Sequence, residues 1–193
     1  MKKNEMTRQK ILDASVEIFF EKGFLDARVD DISNKAGISH GTFYIYFKNK
    51  RDVLWDLVKQ TFNILYEITE EPWQKGDIYS SLEESLRGFF RIFKDYVKII
   101  RVWKEVSIFD PEFMELWDRL TQKITLRIQK NIQYSIKKSI GKEVNPAIAA
   151  QALSGMVEHF AYMLFIKGTN IDYSMEEVVK TLADLWYNSI YIE

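Results

Sequence analysis

Across 193 residues this sequence holds only three prolines and eight glycines, and no run of alternating apolar and polar residues is bounded by a turn pair such as Asn-Gly. Sheets need that punctuation, because each strand must end in a turn that special backbone angles allow. An all-α chain is therefore expected. With 47% hydrophobic and 15% aromatic residues there is ample apolar surface for a packed core, which argues against disorder.

Helical spacing then divides the chain. Between 7 and 22, Ile11, Ala14 and Ile18, with Leu12, Val16 and Phe19, recur at three- and four-residue steps, and Gly23 stops the run. A short second helix spans about 29–35, and Ala36-Gly37-Ile38-Ser39 breaks it: glycine for a left-handed turn, isoleucine to plug the core, serine to cap the next helix. That helix, at 40–47, is brief and aromatic. Asn49, with Asp52 three residues on, opens a fourth. Beyond lie periodic segments at about 50–71, 81–95, 96–109, 111–139, 146–167 and 175–192. Their expected caps are Ser80 and Ser81 before Glu83 and Glu84, Asp110 before Pro111, Asn145 before Pro146, and Ser174 before Glu177.

About nine helices result, in an expected division into a 1–51 helix-turn-helix head and a 52–193 body for ligand binding and dimerisation. Charge divides the same way. Residues 1–51 carry ten Lys/Arg against seven Asp/Glu, whereas 52–193 carry seventeen against twenty-one. A basic head on an acidic body points to a polyanion met by the head alone.

Several function classes lose support. Without cysteine there is no disulfide framework, thiolate metal site or cysteine nucleophile, and His40 and His159 are the only imidazoles. No Glu-x-x-His pair, His-Glu-x-x-His motif or phosphate-cradling glycine loop is present, so neither an enzyme nor a bound metal or cofactor is expected. No apolar stretch approaches the ~20 residues of a membrane span, and Met1-Lys2-Lys3-Asn4-Glu5 leads into an amphipathic helix rather than a signal-peptide core. The expected location is cytoplasmic, with no membrane partner.

Two helices joined by a tight glycine turn can place the second in the major groove. Many helical proteins contain such a corner, but here its exterior carries His40, Thr42, Tyr44 and Tyr46, then Lys48 and Lys50, groups suited to base edges and phosphates. Gly23-Phe24, Val29-Asp30-Asp31-Ile32, Ala36-Gly37-Ile38-Ser39, Gly41-Thr42-Phe43-Tyr44-Ile45-Tyr46-Phe47 and Asn49-Lys50 together resemble the TetR/AcrR family over residues 7–58. The body resembles it only in size and helix count.

The resemblance implies that Thr42 and Tyr44 face the groove, that Tyr46 and Lys50 take phosphates, and that His40 and Gly41 approach bases, while Phe43 and Phe47 face inward. Ser39 and Lys48 complete the set. Where the family usually has threonines this chain has Ala27-Arg28, so Arg28 stands in as a phosphate contact near a helix N-terminus. Ile45 is either a core residue or a contact to a thymine methyl. The implied function is a regulator of double-stranded operator DNA, most often a repressor, released by a small apolar or aromatic effector. The alternative is a helical carrier or adaptor of apolar ligands whose helix-turn-helix is a structural corner.

Aromatic residues are dense between 60 and 165. Phe62, Tyr66, Phe89, Phe93, Trp103, Phe109, Phe113, Trp117 and Tyr162 are either core or lining of the apolar pocket that the resemblance implies. Glu158 and His159 interrupt an apolar helix; they orient a ligand, form a buried pair, or sit at a dimer edge. Ala150, Leu153 and Val157, with Val178, Leu182 and Trp186, are expected to build a two-fold four-helix homodimer interface; otherwise they complete the monomer core.

Overall fold

The computed structural model describes residues 3–68, 77–169 and 172–192. The described chain is helical: α1 (Lys3–Lys22), α2 (Val29–Ala36), α3 (His40–Tyr46), α4 (Lys50–Ile68), α5 (Ile78–Asp95), α6 (Val97–Ser107), α7 (Pro111–Lys137), α8 (Pro146–Ala161) and α9 (Met175–Ile190). A π turn, Tyr162–Ile166, extends α8. The positions 69–71 that periodicity assigns to the fourth helix lie outside the described residues.

Caps explain most boundaries. The side chain of Asn145 accepts from the N–H groups of Ala147 and Ile148 at 3.0 and 3.3 Å, and Pro146 fills the first position, where no N–H is needed. Ser174 and Glu177 exchange a capping box at the start of α9, and Asn49 accepts from Asp52 N–H at 2.9 Å. The expected cap at Ser80 and Ser81 is corrected. Asp77 accepts from Ser80 N–H at 2.9 Å and from its hydroxyl at 2.6 Å, starting α5 earlier because a carboxylate is the stronger acceptor.

Two compact units result: Met1–Asn63 with Tyr96–Trp117, and Ile64–Asp95 with Asp118–Glu193. Compactness therefore draws its line elsewhere than 51/52. The physical reason is that the first half of α4, all of α6 and the start of α7 pack with the head: Trp55 meets Phe113 edge-on at 5.2 Å, and Lys98 on α6 binds Glu17 on α1 at 2.6 Å.

In the second unit α5 and α9 are antiparallel, since Tyr79 bonds Asp184 (2.6 Å) and Arg87 bonds Glu176 (2.7 Å). The segment after α7 pins the C-terminal end: Lys142 N–H donates to Ile190 O (2.7 Å) and Ile192 N–H to Ile140 O (3.1 Å). Glycine at 141 suits this close approach, because a Cβ there would lie 3.0 Å from the α7 backbone at Ser135 and Ile136.

Candidate nucleic-acid interface

The corner between α2 and α3 is built by three neighbouring residues. Gly37 takes φ 67°, so its N–H and that of Ile38 turn back onto the carbonyls of Asn34 (3.2 Å) and Ser33 (3.0 Å). Ser39 then caps α3, its hydroxyl accepting from Thr42 N–H at 3.1 Å and pairing with the Thr42 hydroxyl at 2.7 Å. One side of α3 is fixed inward by Phe43, wholly buried, and by Phe47 one turn on, with ring centroids 6.1 Å apart.

The opposite side is bare. Gly41, Tyr44, Ile45 and Lys48 are all exposed, and Ile45 at 77% exposure has no packing role. The core reading of Ile45 is thereby excluded. A Cβ at Gly41 would meet nothing nearer than the Ser39 hydroxyl at 4.0 Å, so glycine leaves open space there rather than relieving a clash. His40 is exposed, edge-on to Tyr44 at 5.1 Å, with Nε2 3.3 Å from Asp30. Tyr46 is half-buried and its hydroxyl donates to Asn4 at 3.4 Å. Arg28 caps α2 with its guanidinium exposed; since arginine has no acceptor, Asp31 alone closes that end, receiving Arg28 N–H at 3.1 Å. Hydrogen bonds from Lys22 and from Arg28 N–H hold the Asp31 carboxyl below the usual range.

Lys50 is not where the resemblance puts it. Its ammonium donates to the carbonyls of Phe24 (2.7 Å), Leu25 (2.8 Å) and Ala27 (2.7 Å), and lies 4.9 Å from the Phe24 ring centroid. All three donors are used, so the side chain ties the α1–α2 turn to α4 instead of reaching for a phosphate. Burial pushes its pKa down from the usual lysine value, as desolvation of a cation must.

Sequence reasoning missed the next residue. Arg51 forks onto Asp110 (Nε 2.8 Å, Nη2 3.0 Å), reaches Glu112 at 2.7 Å, and lies over the rings of Phe113 and Trp55. Asp110 is thus both cap of α7 and anchor for α4. The arginine holds the Asp110 carboxyl below the usual carboxylate range, and the two carboxylates raise the arginine's own value. A bidentate guanidinium pair fixes distance and angle together, so the head's α4 cannot shift without α7. Only the cap was legible in the sequence; the pairing of positions 59 apart carries no local signal.

The aromatic candidates for a ligand divide between the two units. Phe62, Trp103 and Phe113 are buried in the first, where Trp103 Nε1–H donates to Phe113 O at 3.2 Å and its ring meets Trp117 at 4.5 Å. Phe109 is half exposed on the α6–α7 turn. In the second unit Phe89 and Phe93 join Phe90, Phe160 and Phe165, with centroids 5.6–6.4 Å apart, and the half-buried π turn beginning at Tyr162 supplies Phe165. Tyr66 is clasped by Arg127, whose guanidinium lies 4.5 Å from the ring centroid. His159 is exposed and Glu158 half-buried, so a buried pair is excluded.

The six expected dimer residues also need correcting. Ala150, Leu153, Val157, Val178, Leu182 and Trp186 are all 9% exposed or less within a single chain, so they face inward and complete this unit's own core. The exposed side of α8 includes Ile148, Ala152, Gly155 and His159, and that of α9 includes Lys180, Thr181, Leu185, Asn188 and Ser189. Among the described residues no helix is long and apolar enough to cross a membrane, and no cluster of His, Asp and Glu could hold a metal ion.

Residues 11–56 match the model of the bacterial regulatory proteins of the tetR family, and residues 82–192 match the C-terminal domain of the transcriptional regulator EthR. The regulator EthR of Mycolicibacterium smegmatis is 27% identical over 185 residues, spanning 94% of this chain and 84% of that protein. A fatty acid metabolism regulator protein of Bacillus subtilis is 39% identical over 71 residues, 37% of each chain. Among solved structures, the fatty acid degradation regulator FadR from Bacillus halodurans aligns with a TM-score of 0.74 at 20% identity, over 93% of this chain and 94% of that one. A regulator from Saccharomonospora viridis in complex with choline aligns at 0.80 with 16% identity, over 96% and 98%. At such identities these structures establish a common fold.

Proposed function

The chain belongs to the TetR family of bacterial transcriptional regulators and is a DNA-binding protein, and on that premise we propose that it is a homodimeric repressor that a small apolar molecule releases from its operator. The observation that carries the DNA half is the outer side of α3. A seven-residue helix with Phe43 fully buried leaves Ile45 and Tyr44 in water, a cost that a groove-facing surface offsets by contact with base edges and thymine methyls. Thr42, His40 and Gly41 flank that surface, with Lys48, Arg28 and Tyr46 as phosphate contacts. A carrier or adaptor without DNA binding has no use for it.

Family members act as dimers, and the outer faces of α8 and α9 support one here. Ile148, Ala152, Gly155 and His159 recur at four, three and four residues, and their small members let a second copy's helix approach closely; on α9, Leu185 is an exposed apolar residue. His159 then belongs to this edge, not to a ligand site. For the effector, the Phe89, Phe93 and Phe165 rings in the second unit form an apolar surface with few polar groups, and the fatty-acid regulators among the relatives favour an acyl chain. The braces from Arg51 to Asp110 and from Lys98 to Glu17 fasten α4 and α1 to α7 and α6, so a shift of α6–α7 would reposition the reading head.

A gel shift against the gene's own upstream region, followed by calorimetry with decanoic acid as the acyl probe and naphthalene as the aromatic one, tests the reading. One probe should bind free protein at least tenfold more tightly than the DNA complex, about 1.4 kcal/mol of coupling. Equal affinity in both states for every ligand that binds would exclude induction.

A further inference from the structure

Residues 119–142 hold seven Lys/Arg and no Asp/Glu, whereas residues 143–193 hold two Lys/Arg and seven Asp/Glu. This segregation lies within the second unit, away from the reading motif in sequence, and the acidic balance of residues 52–193 conceals it. At 100° per residue, Arg119, Lys123, Lys130, Tyr134 and Lys137 fall within about 60° of arc on α7. All five are exposed. Lys123, Lys130 and Lys137 follow one another at seven-residue steps, about 10.5 Å each along the axis.

Some cations of the segment are already engaged. Arg127 clasps Tyr66, and Lys142 donates to Asn188 O at 2.5 Å. The row of exposed lysines stands apart from these, interleaved with Gln122, Leu126, Gln133 and Tyr134, all of them exposed. Lysine, glutamine and tyrosine without an interrupting carboxylate is the set that contacts phosphate oxygens. A membrane surface fits less well. The apolar side of this helix, Leu120, Ile128 and Ile132, is buried in the protein and unavailable to insert among lipids.

We propose that the exposed face of α7 is a second, sequence-independent DNA-binding surface, which holds a further duplex through its phosphates while the α3 heads occupy the operator. The protein would then bridge two DNA segments. If Lys123, Lys130 and Lys137 each neutralise one phosphate, affinity at this surface falls about 40-fold between about 50 and 200 mM salt.

The test uses the full chain and a random-sequence duplex of about 30 bp, so it does not depend on knowing the operator. A head variant, Tyr44→Ala with Lys48→Glu, removes reading by α3; it should lose preference for the upstream fragment yet still bind the random duplex by fluorescence anisotropy. The stripe variant Lys123→Glu, Lys130→Glu, Lys137→Glu should do the reverse. It retains the upstream fragment but captures a second, labelled duplex from solution at least tenfold less well. The milder Lys→Gln triple, with helicity checked by circular dichroism, should show the same loss if phosphate charge is the cause. Failure of the head variant to bind random DNA at low salt would overturn the proposal, as would unchanged capture by both stripe variants. So would a stripe that binds phosphatidylglycerol vesicles in preference to DNA, or that drives salt-sensitive self-association through the acidic residues of a second copy.

Discussion

Both units of this chain pack rings and form ion pairs inside themselves, but in different proportion. In the first, ion pairs link distant segments: Arg8 with Asp56, Lys22 with Asp31, Lys98 with Glu17, and Arg51 with Asp110 and Glu112. In the second, rings fill the interior, Phe89, Phe90, Phe93 and Phe165 on one side and Tyr79, Tyr187 and Tyr191 on another. Charge-assisted bonds fix distance and direction, which a helix aimed at a groove requires. Ring packing is less directional and tolerates rearrangement around a guest. On the proposed reading, the head is braced for position and the body is filled in a way that a ligand would alter.

The largest effect should come from breaking the second unit's interior. Trp186→Asp buries an unpaired carboxylate where the indole is 4% exposed, and should cost at least about 3–5 kcal/mol in thermal or urea unfolding. Its neighbour Leu185, 55% exposed, offers the contrast: Leu185→Asp should change unfolding of the dissociated monomer by under about 0.5 kcal/mol yet shift the sedimentation profile from dimer toward monomer. Reversal of those two results would restore Trp186 as an interface residue.

Next in size is the brace. Arg51→Met keeps most of the aliphatic packing on Phe113 but strands Asp110, and should cost about 1–2 kcal/mol, reduced from a buried charged bond because the arginine is partly exposed. The sign with pH is set by Asp110, whose folded pKa is depressed from 3.8. Its contribution is present above that value and is lost as pH falls through the lower folded one. Urea midpoints in the acid range should therefore fall more steeply in the wild type than in Arg51→Met. Parallel acid limbs would remove Asp110 from the account.

Lys50→Met sharpens the comparison from the other side. It should cost about 1 kcal/mol by leaving the carbonyls of Phe24, Leu25 and Ala27 without their donor, while the salt slope of DNA binding stays unchanged. A slope shallower by about one counterion unit would return Lys50 to the phosphates.

The smallest change belongs to Tyr79, whose phenol donates to Asp184 and is pushed up to about 12, chiefly by that bond. A raised folded value means the contribution is intact below pH 10 and fades as pH rises through about 12. Tyr79→Phe should flatten the alkaline limb of stability slightly.

Much of this was readable in the sequence because it is local. Gly37, Ser39, Asn145 and Ser174 act within one turn of their own helix, and Phe43 with Phe47 obey four-residue spacing. The misreadings share a different cause. Lys50 and Arg51 find partners 23 to 61 positions away, which no spacing rule records. The six residues expected at the dimer are plainly apolar, but periodicity says which residues share a face and not whether that face meets the chain itself or a copy of it. Ile45 gives the opposite lesson, since its value lies in an exposure that apolar character alone does not reveal.

On this account the bare side of α3 reads sequence. Competition binding of the Tyr44→Ala, Ile45→Ala protein to the upstream fragment against random duplex, at fixed salt, tests it most directly. Both side chains are at least half exposed, so the melting temperature should hold. Selectivity for the fragment should fall by tenfold or more, while binding to random DNA changes little. Undiminished selectivity in a well-folded double variant would contradict the account.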